Sequence, residues 1–148
     1  MTSKTARKLI FASLFGAALA FGGAARAEEP YWPKDAKAYI ISPKDGETVT
    51  GKVVVLFGLE GAGVAPAGVD KAKTGHHHLL IDREPPTAAE LEAPLPVDAQ
   101  TKHFGGGQTQ VTLDLPPGPH TLQLLLGDQN HVPHSAPLLS PKVHITVK

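Results

Sequence analysis

The sequence predicts an all-β domain, an antiparallel sandwich of the immunoglobulin or fibronectin kind. Three observations carry this. Short runs of alternating apolar and polar residues recur along the chain, which is the period of strands buried on one face. Gly- and Pro-bearing turn signals separate them at fairly regular spacing. Helical periodicity is almost absent, and six or seven strands in a chain of 148 residues suit one sandwich domain.

The first residues read as a targeting segment. Lys4, Arg7 and Lys8 form a positive n-region, Leu9 to Phe21 is apolar, and Ala25-Arg26-Ala27 is a small-x-small cleavage site. Cleavage is expected to leave Glu28 at the mature N-terminus and 121 residues beyond the signal. The apolar run is too short for a comfortable membrane span, and no later stretch is long and apolar enough. An exported protein is therefore expected, with the periplasm as its address. The signal takes four basic residues and no acidic one, which leaves 10 basic against 14 acidic. That balance argues against nucleic acid or an anionic membrane as partner. There is no cysteine, and the one methionine is Met1. A metal site in the mature chain must then use His, Asp, Glu or backbone oxygen, a donor set that suits Cu(II), Zn(II) or Ni(II) and disfavours Cu(I).

Residues 28–37 are polar, with two prolines, and form a lead-in in which Tyr31 and Trp32 are available to pack on the domain edge. The sandwich is expected over 38–148. Ala38 to Ser42 is a short strand and Pro43 to Gly46 a turn. Lys52 to Leu59 alternates with Val53, Val55, Phe57 and Leu59 on one face. Gly61 to Thr74 is a loop. Gly75 to Asp82, GHHHLLID, is the third strand. Leu79 and Ile81 define its core face, and His77 is in phase with them. His77 then reads as a hydrogen-bonded core histidine, while His76 and His78 point the other way. Residues i and i+2 lie roughly 6.6 Å apart along a strand, so two such imidazoles can close on one metal ion.

Arg83 to Lys102 is long and irregular, with one helical turn expected over Thr87 to Leu91. A loop of this length in a compact domain is often functional or covers an edge. His103 to Thr109, HFGGGQT, follows. Its three glycines permit close backbone approach but follow no strand-to-helix pattern that would cradle phosphate. Gln110 to Leu115 and His120 to Leu126 are strands, the second with Leu122, Leu124 and Leu126 inward. His120 reads as a corner residue bonding backbone carbonyls. Gly127 to Ser140 is a loop carrying Asp128, Asn130, His131 and His134. Lys142 to Val147 is the last strand, with His144 an ordinary exposed residue.

An isolated His-x-His is more often solvated than ligating. The fold moves that balance. In an immunoglobulin-like sandwich the third strand and the His120 strand are antiparallel neighbours, so the start of one lies beside the end of the other. His76 and His78 then meet the Gly127 to His134 loop, and His103 can close over the same end. The candidate metal ligands are His76, His78, His103, His131 and His134, with Asp128 as ligand or as the carboxylate that orients one. Asp82 is a second candidate for that orienting role. Copper or zinc is the expected metal.

At these residues the chain resembles a family of bacterial exported domains of unknown function. Its pattern matches SPKDG at Ser42 to Gly46, the segment Phe57 to Gly68, GHHHLLID, HFGGGQT, Leu115 to Asp128, and Asn130 to His134. The resemblance implies that His76, His77, His78, His103, His120, Asp128, His131 and His134 belong to the family pattern. It implies no activity. A looser similarity is to copper-zinc superoxide dismutase, also a sandwich with a His-x-His strand. Its other motifs and disulfide are missing here, so its activity does not carry over. The reading is a periplasmic metal buffer or carrier. Its alternatives are a non-metal structural or ligand-binding module and a metal-dependent enzyme, for which no HExxH, nucleophile-elbow or Ser/His/Asp signature is present.

Overall fold

The computed structural model describes residues 29–148, and the expected signal peptide lies outside the described residues. Nine strands follow in chain order: β1 (Lys37–Ser42), β2 (Glu47–Val49), β3 (Val53–Glu60), β4 (Gly63–Val64), β5 (Thr74–Ile81), β6 (Thr101–His103), β7 (Gln110–Leu113), β8 (Gly118–Gly127) and β9 (Val143–Val147). No helix occurs among the described residues, so none there is long and apolar enough to cross a membrane. The expected turn over Thr87 to Leu91 is present as hydrogen-bonded turns that do not extend into a helix, with the Glu90 N–H donating to Thr87 O and the Ala93 N–H to Glu90 O.

The strands form two sheets. One runs β1-β3-β7; the other runs β2-β9-β8-β5-β4, with β6 also paired to β5. The pairings are antiparallel except for the short β2–β9 and β4–β5 contacts. This is the expected immunoglobulin-like sandwich. The six strands read from periodicity correspond to β1, β3, β5, β7, β8 and β9. The remaining three are two or three residues long, too short to carry an alternating pattern.

The core follows the alternation. Val53, Val55 and Phe57 of β3 face Leu79 and Ile81 of β5, Leu122 and Leu124 of β8, and Val143, Ile145 and Val147 of β9. Val54 stays exposed, as strand parity requires. β5 departs from one-sided burial, since all eight of its residues are buried. The long segment after β5 explains this. It turns back over the outer face, buries Leu91 and Leu95, and is tied down by the Leu95 N–H to His131 O and the His134 N–H to Leu91 O.

His77 lies in the core as its parity demands, 5.2 Å from the Phe57 ring centroid. The expected hydrogen bonds are not there: neither ring nitrogen has a partner among the described residues. An apolar core offers none. His120 sits at the opposite end of β8 from the His-rich rim. Its Nε2 donates to Pro116 O at 2.8 Å, and its Nδ1 meets Asp82 Oδ2 at 2.7 Å rather than a second carbonyl. Asp82 also accepts the Thr121 N–H, so one carboxylate and one imidazole lock this corner. His144 is exposed beside Asp45.

The lead-in contributes to the interior. Trp32 is buried with Ala38, Leu126 and Leu138 in a second apolar cluster, and its indole N–H donates to Pro133 O at 2.7 Å. Trp32→Ala should therefore destabilise the domain by about 3–5 kcal/mol, the cost of an emptied large aromatic site. Urea unfolding followed by circular dichroism measures it; a change within about 0.5 kcal/mol would mean Trp32 is peripheral.

Candidate metal centre

Strand register builds the centre. β5 pairs antiparallel with β8 so that His76 lies opposite Gly127 and His78 opposite Leu125. On its other edge β5 pairs with β6, and there His78 lies directly opposite His103. Directly opposed residues on one face bring their side chains within contact. The ring centroids of His78 and His103 are 5.2 Å apart, and those of His76 and His103 are 4.9 Å apart.

The fourth imidazole comes from the loop after β8, and Asp128 shapes that loop. Its Oδ1 accepts the N–H groups of Asn130 and Val132. The Asp128 N–H donates to Val132 O, and the His131 N–H to Asp128 O. The tight turn leaves His131 at φ 68°, in the left-handed region that few non-glycine residues occupy. Its Nδ1 then stands 3.0 Å from His76 Nε2. Gly127 makes room. A Cβ there would sit 2.8 Å from His78 Cε1 and 3.2 Å from His131 Cα.

His76, His78, His103 and His131 each offer a nitrogen, and these donor atoms all lie within 4.8 Å of one another. The four residues can hold a metal ion. Their six ring-centroid separations run from 4.6 to 5.8 Å. Four imidazoles around a tetrahedral metal, with nitrogens at about 2.05 Å, place their centroids about 5.2 Å apart. A square arrangement would need two diagonals of about 6.4 Å, longer than any separation here.

Hydrogen bonding leaves the cluster unfinished. His76 Nδ1, both nitrogens of His78 and His103 Nε2 are buried without a partner among the described residues. Buried polar groups are normally satisfied, and each one left open costs about 1–3 kcal/mol. Burial also disfavours the charged rings. It lowers the His76 pKa to about 4, helped by the neighbouring His103 and His131. It lowers His78 to about 3, helped by His76, His103 and His131. His103 is lowered for the same two kinds of reason, burial first and His131 second. Near neutral pH these rings are uncharged and carry the lone pairs a metal needs.

Two of the six expected donors stand outside this group. His134 Nε2 meets Asp128 Oδ2 at 3.0 Å, and its ring stacks on Tyr31 with centroids 3.8 Å apart. Asp128 is buried, its carboxylate already taken up by His134 and two backbone N–H groups. It orients the loop that carries His131 rather than an imidazole of the cluster. Asp82, the other carboxylate expected beside a ligand, serves His120 at the far end. The contribution of Tyr31 has no periodic signal in the sequence, and Gly127 reads there only as the start of a loop.

Residues 55–148 match the family described as Domain of unknown function (DUF4399). The chain belongs to that family. The matched part of this DUF4399 chain contains all four clustered histidines, Asp128 and Gly127, and leaves out Trp32 and β1. No curated protein matches the chain. Among solved structures it is similar to the PKD domain (329–428) of human KIAA0319, with 15% identity and a TM-score of 0.43 over 85% of this chain and 92% of that one.

The lowered histidine pKa values fix a pH dependence for the metal-free DUF4399 domain. His77 is also lowered to about 4, by burial. Below pH 6.5 the unfolded chain protonates His76, His77 and His78, while the folded protein does so only near pH 4 and pH 3. The unfolded state binds more protons across that interval, so stability rises with pH there. Unfolding midpoints in chelator-treated protein should fall steadily as pH drops from 6.5 toward 4. A midpoint that stays level over this range would mean the rings are not buried as described.

Proposed function

We propose that the mature domain is exported to the periplasm and binds a divalent transition metal, zinc or copper, through His76, His78, His103 and His131, as a buffer or carrier. The observation that carries this is the convergence of four imidazoles from β5, β6 and the loop after β8, with nitrogens of His76, His78 and His103 buried and unpaired among the described residues. A hydrogen-bonded histidine network would be the alternative use of such rings. It would need several ring-to-ring bonds, and the cluster has one, between His76 and His131. A metal ion uses one lone pair from each ring and removes the penalty for leaving it unmatched.

The near-tetrahedral spacing favours zinc, whereas Cu(II) prefers a flattened arrangement. Four protein donors complete a tetrahedral shell. Catalysis by a bound metal needs an open position for water or substrate, so a closed site supports storage or transfer over turnover. All four donors are neutral. The ion's charge is balanced only at a distance, with Asp128 close enough to act on His76 electrostatically. Neutral ligands hold a dication less tightly than thiolates do, which suits a protein that must release its cargo. His103 and His131 are only half-buried, whereas His76 and His78 are fully buried, so the ion exchanges from the His103 side.

Zinc titrated into the metal-free mature domain should bind one ion per chain and raise the unfolding midpoint, by an amount equivalent to about 2.7 kcal/mol at a hundredfold excess over Kd. The double change His76→Ala and His78→Ala should abolish both effects, and His103→Ala, on a peripheral strand, should weaken binding while leaving the fold intact. Calorimetry and elemental analysis of untagged protein read the outcome. Binding by the double variant as tight as the original would remove the site.

A further inference from the structure

We propose that Gly105 is a positioning residue for this centre: its bare backbone sets where the His103 imidazole stands, and a side chain at 105 would push that ring off the other three. The inference rests on the metal-binding reading and adds a residue that no donor pattern reveals. A Cβ built on Gly105 would lie 2.3 Å from His103 Cε1 and 2.6 Å from His103 Nε2. Both are far inside van der Waals contact, so something must move.

The backbone is not free to be the part that moves. Phe104 is buried in the main core, 4.8 Å from the Phe57 ring centroid, and its N–H donates to His77 O. Gly105 O accepts the Ala67 N–H at 2.8 Å, and the Gly107 N–H closes the turn onto Phe104 O. The Ala67 Cβ would itself stand 3.3 Å from the added methyl, which closes the other direction of escape. What remains is the tip of the His103 side chain. It is half-buried, on a strand of three residues, and can rotate about its own bonds. The strain of Gly105→Ala is therefore delivered to a ligand.

The neighbouring glycine supplies a control. The three atoms nearest to a Cβ on Gly106 would all belong to the Gln108 amide, with Nε2 at 2.8 Å. Gln108 is exposed and flexible, and no histidine lies among those contacts. Gly106→Ala makes the same chemical change one residue away without touching the centre.

Cobalt(II) titrated into the metal-free mature domain serves as probe, since a tetrahedral nitrogen shell gives it intense visible bands. The original protein and Gly106→Ala should bind with the same affinity and spectrum. Gly105→Ala should remain folded, bind about 10- to 100-fold more weakly, as changes beside a ligand do, and show weaker, shifted bands. The His103 ring resonances in metal-free protein should also move in Gly105→Ala and not in Gly106→Ala. Cobalt binding and ring resonances unchanged in Gly105→Ala would overturn the positioning role while leaving the metal site standing. Original protein that takes up neither cobalt nor zinc would overturn the metal reading and this role with it. His103 resonances that shift in Gly105→Ala without any loss of cobalt affinity would also overturn it, because the ring would then have moved at no cost to the site.

Discussion

The pairing of β5 with β8 governs both sides of the molecule at once. With His76 opposite Gly127, the odd-numbered residues of β5 face the sandwich core and the even-numbered ones face the rim. A slip of one residue would exchange these faces, placing His76 and His78 among Phe57 and Leu124 and turning Leu79 outward. Two features resist that slip. The inward Leu79, Ile81, Leu122 and Leu124 are buried completely or nearly so. At the strand ends Gly75 and Gly127 approach so closely that a Cβ on Gly75 would lie 2.4 Å from Gly127 O. The hydrophobic core and the histidine centre are thus set by one register, although they share no side chain.

Much of this was legible in the sequence, and the reason is the period of two. Leu79 and Ile81 identified the core face of β5, and that alone assigned His77 to one side and His76 and His78 to the other. The neighbourhood of β5 and β8 followed from the sandwich architecture, which put the His131 loop beside His76. Less legible was anything decided by loops. Strand β6 is three residues long, and its pairing partner depends on how the irregular chain between Ile81 and Thr101 folds back; the sequence allows His103 to approach but does not place it opposite His78. His134 reads as a donor like the others, and Asp128 as either ligand or orienting carboxylate, because composition does not distinguish a carboxylate that folds a turn from one that faces an ion. The difference lies in backbone N–H groups of Asn130 and Val132, which any residue type could supply. The depth at which Trp32 packs is hidden for a related reason: a lone aromatic in a polar stretch has no period, and much of its pocket, Leu126, Pro133 and Leu138, lies about a hundred positions away.

The three consecutive histidines show how completely environment decides chemistry. His77 has Phe57 and the core around it and nothing to bond; its two open nitrogens are a cost to stability that the surrounding apolar contacts offset. His76 and His78 also carry open nitrogens, but their rings stand where two other imidazoles arrive. Burial keeps all three uncharged at neutral pH. For His77 that only limits the damage of burying a titratable ring. For the other two it preserves the lone pairs that make a ligand.

The lack of cysteine in the sequence fits the same logic. An oxidising compartment such as the one proposed converts exposed thiols to disulfides, which removes them as ligands. Imidazole is indifferent to that chemistry, so a site built from four histidines keeps its donors whatever the redox poise. The trade is in charge. Thiolates would neutralise a dication inside the protein, whereas neutral rings leave it charged, and the nearby Asp128 is committed to His134 and the turn. A buried positive centre of this kind costs more as it becomes drier. Partial exposure of His103 and His131 therefore suits the proposed chemistry: water on that side would screen a bound ion, and the same opening would let it leave.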